Sequence, residues 1–152
     1  MGPYHSAMTE HVLIPIDGSE MSFDAFEFAI DHHPEAKLTV IHVVSPTEGL
    51  VGSGDAMAVN QQAIDSAVKR GEEFGERARD ILQEADSLEG RSFETAVQIG
   101  RPAATIVEYA EDNDVDHIVM GSHGRSGLTR VLMGSVAETV VRRAPVPVTV
   151  VR

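Results

Sequence analysis

Residues 117–135 read HIVMGSHGRSGLTRVLMGS. The stretch opens on an apolar run, His117 to Met120, short enough for one buried strand. It then passes Gly121, Gly124, Gly127 and Gly134, and it carries His123, Arg125 and Arg130 but no acid. After Ser135 the apolar positions follow a helical rhythm to Arg143. Strand, glycine-rich loop and helix are therefore written into one segment, and the rest of the chain repeats that alternation.

Working outward, His11-Val-Leu-Ile-Pro-Ile16 is an apolar run closed by the turn signal Asp17-Gly-Ser19. From Ser22 the residues Phe23, Phe26 and Ile30 recur at helical spacing, and His33-Pro34 ends that segment. Lys37 to Val44 reads as a second strand. Ser45 to Asn60, rich in Gly and Ser, reads as a long loop. A helix follows from Gln61 to Ala85, with a stripe of Ile64, Val68, Phe74, Ala78, Ile81 and Leu82. Phe93 to Ile99 alternates apolar with polar, as an edge strand does. Pro102 suits the first turn of a helix that runs to Asp112. Pro147 to Val151 is the last strand. Strict βα alternation implies a parallel sheet with helices on both faces. Pro15 is the exception, since proline rarely sits in a central strand. A bulge or early release of pairing there would aim Asp17 above the sheet.

Composition narrows the function. The chain has 152 residues, enough for one domain with a real core, and no cysteine for disulfide or thiolate chemistry. Residues 1–9 read as a loose tail, with the domain over 10–152. The net charge of −12 repels nucleic acid and anionic membrane. No apolar run approaches a membrane span. A cytoplasmic protein is expected. With Lys37 and Lys69 as the only lysines, the acid excess also suits a salt-rich cytoplasm.

Open α/β sheets bind ligands beyond the carboxyl ends of their strands. Asp17 follows the first strand and GSHGRSG the fourth, so both belong to that edge. Glycines allow close backbone approach, and a helix starting at Gly134-Ser135 adds free N–H groups and a positive dipole end. No acid occurs from His117 through Ala137. Together these read as a phosphate site. There is no G-x-x-x-x-G-K-[ST], and Gly52-Ser-Gly54 lacks the third glycine of G-x-G-x-x-G, so a fast P-loop-type NTPase is not expected. The rival reading is an ordinary loop, because Ser135-Val-Ala-Glu138 also fits a capping box. Local physics leaves both open. His32-His33 and the Asp112, Asp114, Asp116 trio read as solvated ends and turns. His42 reads as a satisfied histidine, and Arg142-Arg143 as partners of a helix dipole.

Gly121-x2-Gly124-x9-Gly134-Ser135 resembles the G-2x-G-9x-G-[ST] motif of the universal stress protein family, in its ATP-binding branch. VLIPIDGS, IHVV, GRPAATIVEYA, DHIVMGSHG and PVPVTVV support the resemblance over about residues 10 to 152. It implies a single α/β domain, Rossmann-like and similar to the adenine nucleotide alpha hydrolases. Its five parallel strands would lie in the order 3-2-1-4-5, with two helices on each face. It also implies a site. Pro15 and Asp17 would line it at the first strand's end, Asp17 near the phosphates or their metal. The backbone of Val43 would meet the adenine edge. Met120, Gly121, His123 and Gly124 would form the ribose and phosphate loop. Gly134, Ser135 and Val136 would open the phosphate-binding helix. The expected ligand is ATP, with Mg²⁺ or Mn²⁺, and the expected assembly is a homodimer through the last strand. A nucleotide-dependent stress sensor or regulator leads. A slow ATPase holding a metal at Asp17 and an interaction module with a vestigial site remain open.

Overall fold

The computed structural model describes residues 9–52, 54, 58–85, 90–122 and 133–152. Strand β1, His11–Pro15, is buried along its length apart from a half-buried Pro15. Its alternation feeds two cores. Val12 and Ile14 point to one face, with Phe23, Phe26 and Ala29. Leu13 points to the other, with Ile106, Ala110 and Val140. A strand covered on both faces has no solvated side, which is why the run is continuously apolar.

Helix α1, Glu20–His32, starts two residues before the expected Ser22, because Ser19 Oγ accepts the Ser22 N–H at 3.2 Å and caps it. Strand β2 is Lys37–Val44. The stretch expected as a plain loop holds a 3₁₀ turn, Pro46–Gly49, and two short strands, β3 (Leu50–Val51) and β4 (Ala58–Val59), paired antiparallel. Helix α2 is Gln61–Glu84, with Asn60 Oδ1 accepting from Gln62 N and Ala63 N. Its buried line is Ile64, Ala67, Gly71, Gly75, Ala78 and Leu82, whereas Val68, Phe74 and Ile81 of the expected stripe are half-buried. A Cβ on Gly71 would lie 2.7 Å from His42 Cδ2, and one on Gly75 would lie 2.9 Å from Thr95 Cγ2. The helix thus lies closer to the sheet than side chains would allow, at a cost of about 1 kcal/mol of helix propensity for each glycine.

Strand β5 is Phe93–Ile99, α3 is Pro102–Asp112, β6 is His117–Gly121, α4 is Ser135–Arg143 and β7 is Val148–Val151. The main sheet is wholly parallel in the order β5-β2-β1-β6-β7. Counting only its own five strands, that is 3-2-1-4-5, as expected. Helices α1 and α2 pack on one face, α3 and α4 on the other. The chain runs outward from β1 through β2 to β5, then returns to β6 and β7. The strand order therefore reverses between β1 and β6.

Candidate functional site

The reversal point is where the sheet opens. Residues of β1 pair with β2 as far as Pro15↔Ile41, but with β6 only at Val12↔His117 and Leu13↔Ile118. Ile16 N donates to Ile41 O, so along the alternating backbone the nitrogen of Pro15 faces β6. Pairing has already ended on that side, and proline's missing N–H costs no ladder bond. The strand simply releases early, with no need for a bulge.

The space between the parted strands is a cavity of about 440 Å³ at the carboxyl edge of the sheet. Asp17 lines it from the β1–α1 turn, Ser22 from the first turn of α1, Val43 and Ser45 from the end of β2, Glu48 from the 3₁₀ turn, and Gly121 and Ser122 from the end of β6. Of the residues expected from sequence, Pro15, Asp17, Val43, Met120, Gly121, Gly134, Ser135 and Val136 all reach this one cavity. His123 and Gly124 lie outside the described residues. Sequence reasoning missed Ser45, Glu48, Pro102 and Ile106, which also line it. Glu48 did carry a local signal, since Ser45-Pro-Thr-Glu48 fits a capping box with proline at the first turn, but nothing in that pattern says that the box opens onto a cavity.

Asp17 is held by its own turn. Its Oδ1 accepts the Ser19 N–H at 2.9 Å, while Gly18, at φ +89°, turns the chain from β1 into α1. Opposite stands the start of α4, where the capping-box reading fails. The N-cap is Gly134, not Ser135, and it has no side chain to cap with. Gly134 is itself tied down by donating its N–H to Ser122 O at 2.7 Å, and Glu138 N closes the first helical bond to Gly134 O. Ser135, Val136 and Ala137 line the cavity, and as the first turn of α4 they carry N–H groups with no partner inside the helix. That end of the helix is built to face negative charge.

His42 belongs to the support. It is buried, donates from Nδ1 to Ile16 O at 2.8 Å and meets the Phe74 ring edge-on at 5.1 Å. Among the described residues no cluster of three or more His, Asp or Glu side chains could hold a metal ion. Asp17 by itself makes an incomplete site, and Mg²⁺ commonly takes one or two carboxylates together with substrate phosphates.

The remaining candidates lie elsewhere. His33 pairs with Glu10 at 3.0 Å, and His32 stacks on Phe28. Asp116 Oδ2 accepts the His11 N–H at 2.9 Å, tying the turn before β6 to the opposite, amino edge of the sheet. Arg142 pairs with Glu138 on the surface of α4.

With this geometry in place, comparison with known proteins is informative. Residues 8–152 match the universal stress protein family. The chain belongs to that family. Universal stress protein MJ0531 of Methanocaldococcus jannaschii is 39% identical over 145 residues, covering 93% of this chain and 81% of the relative. The solved universal stress protein UspA from Lactobacillus plantarum superposes with a TM-score of 0.76 at 26% identity, covering 94% of this chain and 97% of the other. A universal stress protein solved in complex with cAMP matches at a TM-score of 0.65 and 25% identity, covering 95% of this chain and 97% of that one. No helix among the described residues is long and apolar enough to cross a membrane.

Proposed function

We propose that this universal stress protein binds ATP in the cavity between β1 and β6 and acts as a nucleotide-dependent sensor or regulator. The observation that carries the reading is the glycine-capped start of α4, whose first-turn residues Ser135, Val136 and Ala137 line a 440 Å³ cavity. Backbone donors on a helix axis suit a phosphate chain. Asp17, across the cavity, suits a ribose hydroxyl or a divalent ion brought in by the phosphates; Mg²⁺ or Mn²⁺ would arrive with the nucleotide. The volume falls within the range of small-ligand pockets. The relative in complex with cAMP supports an adenine nucleotide as the ligand. His123 and Gly124 belong to the same reading through their places in the glycine motif. A cytoplasmic homodimer completes it, with β7, a sheet edge, meeting its twofold mate.

The test is chromatography of what heat denaturation releases from freshly purified protein, followed by calorimetric titration of the stripped protein with ATP. An adenine nucleotide in stoichiometric amount, or saturable binding at one site per chain, is expected. A blank in the first and no heat in the second would refute the reading.

A further inference from the structure

Two carboxylates line the cavity, and the glycine motif accounts for neither the position nor the chemistry of the second, Glu48. We infer that Glu48 reads the 6-position of the purine. Its carboxylate accepts an N–H of the adenine 6-amino group and turns away bases that carry a 6-oxo group. The inference rests on the nucleotide reading above and deepens it.

The cavity is polarised along the strand order. The start of α4, with its inward N–H groups, stands above β6. Asp17 stands above β1, and Ser45 and Glu48 above β2. Strands β6, β1 and β2 are neighbours, so the ends of this row lie about 10 Å apart. Phosphate at the α4 end leaves the ribose over β1 and the base over β2. The wall that meets the base carries an acceptor.

That acceptor is fixed in place. Ser45 N donates to Glu48 Oε2 at 2.9 Å, within a capping box around the 3₁₀ turn. The next residue, Gly49, is seated on α2, where a Cβ would lie 2.6 Å from Ile64 Cγ1. Arg70 on α2 reaches Glu48 Oε1 at 3.4 Å. The carboxylate is 25% exposed, whereas Arg70 is half-exposed, so their pair contributes little by itself. An ionised carboxylate has about four acceptor sites, and these contacts use two. It cannot donate, so aimed at the 6-position it is paired by a 6-amino group and meets a 6-oxo group acceptor to acceptor, the N1–H of a 6-oxo purine lying beside that position and not on it. Attraction to one base and repulsion of the other together give selectivity.

The plainer role for Glu48 is to cap its own turn, and the experiment separates the two. Glu48→Gln keeps an oxygen for the Ser45 N–H and adds an amide that donates. Wild type and variant are titrated with ATP, inosine triphosphate and 2′-deoxy-ATP, and their melting temperatures are compared. Wild type is expected to prefer ATP over inosine triphosphate. The variant is expected to lose roughly tenfold or more of that preference at an unchanged melting temperature. Should the Gln variant melt lower, Glu48→Asp withdraws the acceptor while keeping the charge and is expected to shift the preference in the same direction. An unchanged ratio of ATP to inosine triphosphate in a folded variant overturns the inference and leaves nucleotide binding intact. So does a change confined to the ratio of ATP to 2′-deoxy-ATP, which would put Glu48 on the ribose. Wild-type protein that binds none of the three overturns the nucleotide reading and this inference with it.

Discussion

Gly121 sits against Met21. A Cβ at position 121 would lie 2.9 Å from Met21 Cγ and 3.1 Å from Met21 O, so the end of β6 touches the backbone of the first turn of α1. The first glycine of the G-2x-G-9x-G-[ST] motif is thus a packing glycine. Gly121→Ala should destabilise the free protein, by about 1–3 kcal/mol, because a backbone oxygen cannot swing aside as a side-chain tip can. Urea denaturation without nucleotide measures this. Stability equal to wild type would mean that Gly121 serves the ligand alone.

The sequence made the sheet legible because alternation there is a physical demand. A strand buried on both faces must be apolar throughout, as Val12, Leu13 and Ile14 are, and an edge strand such as β5 need not be. What stayed hidden depends on contacts between distant segments. Gly71 and Gly75 look like interruptions of a helical stripe until β2 and β5 are seen pressing against them. The Ser45–Asn60 stretch looks like loop until Gly49 is seen seated on Ile64 and its carbonyl accepting the Asn60 N–H at 2.6 Å. The site divides in the same way. Asp17 and Ser135 follow from strand ends and helix starts, whereas Glu48 shows locally as a capping-box residue and only the tertiary fold brings it to the cavity. The box formed by Ser135 and Glu138 could not decide between cap and ligand site, because its pattern is equally compatible with a helix capped one residue earlier, at a glycine.

ATP turnover should be very slow. The P-loop lysine that clamps the transferred phosphate is missing from the sequence. A rate far below the enzyme median of about 10 s⁻¹ is expected. Sustained hydrolysis near that rate, abolished by Asp17→Asn, would make the protein an enzyme.

Acid should weaken the fold from its amino edge. Burial holds His11 below its ordinary pKa of 6.5, helped by Lys37, against the Asn113 carbonyl, Glu94 and Asp116. Burial likewise lowers His117, helped by His33 and opposed by Glu10. In the neutral form His11 Nδ1 donates to Asn113 O at 3.1 Å while Nε2 takes the Thr39 hydroxyl at 2.8 Å. The unfolded chain protonates first, so it binds more protons than the native state once pH falls through about 6.5, and stability drops as pH falls. Below the folded pKa values the loss levels off. Melting temperatures between about pH 7.5 and pH 5.5 should therefore decline, and less steeply for His11→Gln. A melting temperature that rises on acidification in this window would show that the histidines are not stabilised in their neutral form.

The dimer proposal has a backbone test. Pro147 O and Val151 O accept from Ile118 N and Ser122 N, so the N–H and C=O of the alternate residues Val148 and Val150 face the open edge of β7. Val150→Pro removes one outward N–H without touching the ladder to β6. Light scattering should give a dimer mass for wild type and a monomer for the variant, with circular dichroism unchanged. A wild-type monomer at micromolar concentration would exclude pairing through this strand.

The last prediction concerns Ser135 and rests on its place inside the helix rather than at the cap. Loss of a serine cap costs about 0.5–2 kcal/mol, but Gly134 holds that position here, so Ser135→Ala should leave the melting temperature of the free protein unchanged. Ser135 lines the cavity in the first turn of α4. A hydrogen bond to a charged phosphate contributes about 1.5–3 kcal/mol, so ATP should bind roughly 10- to 150-fold more weakly. Adenosine has no phosphate and should bind as before. Gly124→Val is the companion variant, because a β-branched side chain at that place in the motif should block backbone approach to phosphate and abolish ATP binding. Calorimetric titration of both variants with both ligands reads all four outcomes. If both variants fold and bind ATP like wild type, GSHGRSGLTRVLMGS is an ordinary connection between β6 and α4, and the phosphate site must be sought elsewhere.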